Sequence, residues 1–431
     1  MTSSSITDPH RRLAGIHGRR LLTPDGLTPG QLRFEGAHIA AFETRTDAAS
    51  DTMLDAGDLL VLPGIVDLHG DAFERTVMPR PGVTFPYVNA LHEVDRQLLA
   101  NCITTEFHGV TLSWEGGLRG EAYAERMFDA LLAAEHTLGA HHYVHLRFET
   151  HHLAGVERAI EWIAAGRVRF LALNDHLPSM VRRLGDARKL LQYAERAECD
   201  IDAYEARIRR AQEGSADVPA AMRRLTAAAR EHGLHIASHD DPDDAVRHYH
   251  HDLGCHVAEF PLTEAVARTA HAQGDVTVFG APNVVRGRSH TTAPNATAMI
   301  RAGLCDILTS DYYYPAPLLA ALQLAQQHVL PLAQAWALVS AHPAQAAGLT
   351  DRGHLAPGAL ADVILVDDSV PGMPRVCATI VNGCLHYASR PWPMMSASKA
   401  VIAPSGATAE TGAATATTTA PVSAAHTLTP A

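Results

Sequence analysis

Val61–Asp71 reads VLPGIVDLHGD, an apolar run entered through a Pro-Gly turn and closed by His69 and Asp71. A short apolar run bounded by turn residues reads as a buried strand. Two positions apart, His69 and Asp71 fall on the same side of an extended chain. Five further segments repeat the design: VHLRFET carries Glu149, FLALNDH ends at Asp175 and His176, and IASHDD ends at His239, Asp240 and Asp241. VAEFP carries Glu259, and DILTSD ends at Asp311. In a β/α barrel, parallel strands deliver their C-terminal residues to one rim, so side chains far apart in sequence meet there. Imidazoles and carboxylates gathered in this way suit zinc and related first-row ions, which activate water near neutral pH. The repeated pattern therefore implies a metal-dependent hydrolase built on such a barrel.

Outward from Asp71, NCITTEFHGV, HHYVHLRFE, VRFLALNDH, LHIASHDD, CHVAEFPL, VTVFGAPN and CDILTSD alternate with helical stretches. With LLVLPGIVDLHGD they make eight strands, the number of a (β/α)8 TIM barrel, expected over residues 63–353. Short strand-like runs with turn signals occupy residues 13–62 and return over 354–390, which predicts one small β-domain built from both termini. Residues 185–233 are too long for one barrel helix and predict an inserted helical pair near the catalytic rim. Residues 396–431 turn Ala/Thr-rich and lack the apolar periodicity of a core, so a disordered tail is expected there.

The chain has 431 residues, 47% of them hydrophobic and 19% charged, with a net charge of −12. That balance argues against a general nucleic-acid or anionic-membrane binder, and any phosphate site has to be local. The six cysteines form no C-x-x-C pair, and neither a signal-peptide segment nor an apolar run of membrane-spanning length is seen. A soluble protein of the reduced cytoplasm is expected. Assembly into a homo-oligomer is compatible with all of this.

His69, Asp71, Glu149, His176, His239 and Asp311 are the candidate metal-site residues. A carboxylate at Glu149 can bridge two ions, although His145, His151 and His152 lie close enough in sequence to compete for the role. Asp311, at the end of the eighth strand, can accept a proton from attacking water, with a helix N-cap as its competing role. Asp311 and His239 are the expected catalytic residues. A second set is cationic: GAPNVVRGRSH holds Arg286, Arg288, Ser289 and His290, and VMPRPG holds Arg80. Guanidinium groups take phosphate oxygens two at a time, so Arg80, Arg286 and Arg288, with Ser289 and His290 beside them, are candidate phosphate holders. Tyr312, Tyr313 and Tyr314 can line the pocket or simply pack.

Taken together, LPGIVDLHGD, MPRPGV, ITTEFHGV, HLRFE, LNDHLP, ASHDD, AEFPLT, GAPNVVRGRSH and DILTSDYYYP resemble the amidohydrolase superfamily. More closely they resemble its α-D-ribose 1-methylphosphonate 5-triphosphate diphosphatases of the carbon–phosphorus lyase pathway. LPG-x-VD-x-H is shared across the superfamily, whereas ASHDD, AEFP, GAPN-x-VRG and SDYY in that order are specific. The resemblance implies a distorted barrel of the amidohydrolase type with a flanking β-domain, one or two divalent ions, zinc foremost, and a phosphorylated ribose as small-molecule substrate. It also implies release of diphosphate. Asp71 stands where many superfamily members have a second histidine, and Glu259 where many have a histidine ending strand six. The loop reads RGRSHTTA in place of RGGSHSGN, which bears on the group carried by the ribose. The rival readings are a C–N hydrolase on the same barrel and a non-catalytic subunit of a phosphonate-processing assembly.

Overall fold

The structure is a computed structural model that describes residues 12–44, 52–80, 82–288 and 294–389. Ser289, His290 and the 396–431 tail lie outside the described residues. The chain opens with β1 (Gly15–Thr23), β2 (Gly26–Glu35), β3 (His38–Glu43), β4 (Met53–Asp55) and β5 (Leu60–Pro63). Eight parallel strands follow: β6 (Ile65–Gly70), β7 (Ile103–Leu112), β8 (His141–Glu149), β9 (Phe170–Asn174), β10 (His235–His239), β11 (Val257–Glu259), β12 (Val276–Gly280) and β13 (Ile307–Thr309). They neighbour one another in chain order, which is the topology of a (β/α)8 barrel. The ring closes where Asp311 N–H donates to His69 O at 3.0 Å and Asp71 N–H donates back to Asp311 O at 3.0 Å.

The chain returns to the first sheet with β14 (Val363–Asp367), β15 (Arg375–Val381) and β16 (Cys384–Ala388). The order of that sheet is β16-β15-β14-β5-β1-β2-β3, with β4 on β1, so both ends of the described chain build one β-domain. The run LLVLPGIVDLHGD is divided between the two sheets. β5 pairs antiparallel with β14, Leu62 opposite Ile364, while β6 pairs parallel with β7. Gly64 makes the break possible. A Cβ there would sit 2.1 Å from Thr104 Oγ1, and its N–H donates to Asp362 O at 2.9 Å. Periodicity alone could not separate two buried strands joined by one residue.

Side-chain alternation sorts the barrel into two cores. Phe170 and Ala172 of β9, Ala237 of β10, Val257 of β11 and Ile307 of β13 share one buried cluster, whereas Leu171, Leu173, Ile236 and Leu308 join the larger core with the surrounding helices. The next alternate position along β9, β10, β11 and β13 is polar: Asn174, His239, Glu259 and Thr309. The polar rim thus continues the inward face. Residues 185–233 hold helices Ala187–Arg196, Ile201–Glu213 and Val218–Glu231. The first two pack through Leu190, Ala194, Tyr204 and Ile208 into a cluster of their own, and the third is a barrel helix against the core. Among the described residues no helix is long and apolar enough to cross a membrane.

Candidate active site

The strand ends converge. His69 Nδ1 lies 3.0 Å from Glu259 Oε2, and the His69 and His239 rings are 5.3 Å apart. One donor atom each of His69, His239 and Glu259 falls within 4.8 Å of the others. A second group shares His239: His239 Nδ1 is 3.4 Å and His176 Nε2 3.7 Å from Asp240 Oδ2. His239 Nδ1, His145 Nε2 and Glu259 Oε1 are buried and make no hydrogen bond. Leaving such an atom unmatched costs about 1–3 kcal/mol. Orphaned imidazole nitrogens and carboxylate oxygens around one point fit a divalent first-row cation.

The backbone explains how three short strands end so close together. Asp240, Phe260 and Asp311, which follow β10, β11 and β13, all have left-handed backbone, with φ of 59°, 52° and 56°. Each turns its N–H onto the neighbouring strand: Asp240 to Glu259 O (2.9 Å), Phe260 to Val278 O (2.9 Å) and Asp311 to His69 O. The strain of a non-glycine residue in this region, of order 1–3 kcal/mol, is held by these bonds and re-aims the side chains at the rim. The Phe260 ring packs 5.1 Å from both the His69 and His239 rings, fixing their planes.

Glu149 is committed to His176. Oε1 accepts from His176 Nδ1, and Oε2 accepts from the His176 backbone N–H at 3.2 Å. A carboxylate behind an imidazole sets its tautomer and leaves Nε2 forward, the arrangement found behind metal-ligating histidines. Its charge pushes the His176 pKa up to about 9. His69 is driven the other way, well below the usual histidine range, by burial and by Arg147. It is therefore a neutral imidazole. Burial likewise pushes His145 down to about 3, with Nδ1 bonded to Leu68 O at 3.0 Å. Burial and the charge of Asp71 push Asp311 up to about 8. A bound cation would draw it back down.

Arg147 occupies the middle of the constellation. It follows His145 and precedes Glu149 at spacings of two, so β8 projects all three inward while Val144, Leu146 and Phe148 enter the helix-facing core. Its guanidinium reaches Asp71 Oδ2 at 3.4 Å and His239 Nε2 at 3.3 Å. Arg147 has no role in the sequence analysis, although the period of two along HLRFE is a usable signal for it, and Asp240 stands there as a strand-end residue but not among the six metal-site candidates. Glu259 likewise closes one of the strand-end segments and departs from the superfamily pattern, without being among the six candidates. Arg80 and Arg286 are exposed, Arg286 at the end of helix Ala281–Arg286 with its guanidinium 3.5 Å from the Tyr312 hydroxyl. A separate group, His251, His256 and Asp275, lies at the opposite ends of the strands, where Asp275 accepts from both imidazoles at 2.8 and 3.0 Å.

A model of the amidohydrolase family matches residues 202–384. The α-D-ribose 1-methylphosphonate 5-triphosphate diphosphatase of Escherichia coli (strain K12) is 33% identical over 359 residues, spanning 81% of this chain and 94% of that protein. Among solved structures, N-isopropylammelide isopropylaminohydrolase from Burkholderia multivorans superposes with a TM-score of 0.57 at 19% identity, covering 86% of this chain and 98% of that one. Ochratoxinase from A. niger gives 0.58 at 13% identity, covering 87% and 95%. At such identities these structures speak for the fold alone.

Proposed function

The chain belongs to the amidohydrolase family, in its ribose methylphosphonate triphosphate diphosphatase branch, and from that premise we propose that it hydrolyses α-D-ribose 1-methylphosphonate 5-triphosphate to diphosphate and 5-phospho-α-D-ribose 1-methylphosphonate. The observation that carries the reading is the pair of imidazole–carboxylate groups meeting on His239 beside a buried guanidinium. His69, His239 and Glu259, with His176 and Asp240 alongside and Asp71 and Asp311 at the rim, would hold a divalent ion. When bound, that ion, zinc foremost, supplies Lewis acidity and lowers the pKa of water.

The remaining steps belong to the chain. Water adds to the phosphorus nearest the ribose, its proton passes to the Asp311 carboxylate, and the bond to the bridging oxygen of the diphosphate breaks. Glu149 keeps His176 in one tautomer, and His69 stays neutral as a ligand must. Arg80 and Arg286 stand exposed, free to take the outer phosphates, with Ser289 and His290 assigned beside them from the sequence. The six cysteines are free thiols, in keeping with a cytoplasmic enzyme that meets a phosphorylated sugar.

Phosphorus NMR of the metal-loaded protein with a ribosyl 5-triphosphate is the test. One equivalent of diphosphate per turnover is expected. Release of orthophosphate alone, or turnover of a neutral cyclic amide in place of the triphosphate, would overturn the proposal, because a neutral ring gives the arginines no partner.

A further inference from the structure

Arg147 is 5% exposed, yet its charge is poorly matched. Its two contacts, at 3.3 and 3.4 Å, are long beside the roughly 2.7–2.9 Å of a good charge-assisted bond, and Nε makes none. The fully buried structural Arg247 makes short bonds, to Ser238 Oγ at 2.7 Å and Asp241 Oδ2 at 2.9 Å. Arg147 instead spreads one N–H to each of two side chains, Asp71 and His239, that belong to the candidate metal site. Space for its stem is reserved by Gly109 on β7, where a Cβ would lie 3.1 Å from Arg147 Cδ and 3.8 Å from Asp71 Cβ. Asp71 is the one carboxylate the guanidinium reaches, and it is shared with the candidate metal site.

We propose that Arg147 is the resident cation of the metal-free site and becomes the phosphoryl-binding residue of the loaded one. The proposal rests on the triphosphate hydrolase reading. The two cations compete through Asp71 and His239: an imidazole that binds an ion through Nδ1 carries its proton on Nε2, the nitrogen that accepts from Arg147. When the ion takes Asp71 and His239, both Arg147 contacts are given up, and the freed guanidinium, still buried among the ligands, is left needing an anion. The phosphoryl group brought to the same ion supplies one. Arg147 therefore opposes metal binding and favours phosphate binding, an opposition that a residue serving only the fold would not show.

Two variants separate these roles: Arg147→Met, which removes the charge at similar length, and Arg147→Lys, which keeps it without the fork. Zinc affinity of the metal-stripped full chain is read by competition with a chromophoric chelator, and affinity of the zinc-loaded chain for inorganic diphosphate by calorimetry. Arg147→Met is expected to bind zinc about 10-fold tighter and diphosphate roughly 10- to 100-fold more weakly. Arg147→Lys should stay near wild type for zinc and recover diphosphate binding only in part. Unchanged or weaker zinc binding in a natively folded Arg147→Met overturns the stand-in role. Unchanged diphosphate binding overturns the phosphoryl role. If Arg147→Met does not fold, Arg147→Gln replaces it, and zinc binding no tighter than wild type there overturns the stand-in role; for Arg147→Lys, diphosphate affinity equal to wild type overturns the fork, and a partial loss supports it. Neither measurement uses turnover, so failure of the hydrolase reading would appear separately, as absence of diphosphate release by the wild-type enzyme.

Discussion

The Asp311 carboxyl sits beside Asp71 at the seam where the barrel closes, among the candidate ion-holding residues, as a group that takes a proton from water there must. Asp311→Asn preserves shape and a metal-facing oxygen while removing the base. The variant should fold, retain most of its metal and turn over roughly 10²–10⁴-fold more slowly. Single-turnover kinetics with metal analysis checks it, and activity within a few-fold of wild type would remove Asp311 from the proton transfer. His69, Glu149, His176, His239 and Asp311 were readable because each ends an apolar run, where a polar residue has few other reasons to stand. Asp240 was harder to see. Its part depends on a left-handed backbone that no composition signals, and HDD offers three ionisable residues in a row. Asp241 proves to be structural, bound to Ser238 at 2.6 Å, Arg247 at 2.9 Å and His250 at 2.7 Å.

At the scale of elements, Asp95 joins helix Tyr87–Ala100 to the start of β8. Its carboxylate accepts from the backbone N–H of Gly139 (3.0 Å) and Ala140 (2.8 Å) and from His142 Nε2 (3.1 Å). Burial raises the Asp95 pKa, but His142 and the two amides outweigh it and leave the pKa below the usual carboxylate value. A depressed carboxyl stabilises the fold above its unfolded pKa of about 3.9, and that stability is lost as pH falls through the folded value. Asp95→Asn should therefore cost about 1.5–3 kcal/mol near pH 7, and the gap from wild type should close below about pH 4. Thermal melts of both proteins across that range test it; a gap independent of pH would mean that the charge contributes nothing. The barrel strands were legible through their alternation, and the helical pair of 187–213 through sheer length. The break at Gly64 was not, because both sides of it are apolar and only the crowding against Thr104 reveals it.

At the scale of the molecule, β14 covers the edge of β5 while β15 and β16 extend the sheet outward. A chain ending before Val363 would leave β5 with an unpaired edge one residue from the first barrel strand, and Pro63 O would still receive Trp336 Nε1 at 3.0 Å on a strand with no neighbour on that side. Such a truncation should yield insoluble or molten protein and not an intact barrel. Near-UV circular dichroism of the soluble fraction checks this, and a native spectrum would show that the barrel stands without the second half of its β-domain.

The pairing of Leu62 with Ile364 also sets a clock. About 300 residues must be translated between these two partners, which at roughly 5–20 residues per second takes ~15–60 s. Throughout that interval β5 leaves the ribosome as an exposed edge strand of four buried-type residues, LVLP, with its eventual neighbour not yet made. Whatever shields that edge in the nascent chain, a chaperone or early packing of β1 on β5, governs how much of the enzyme reaches the folded state.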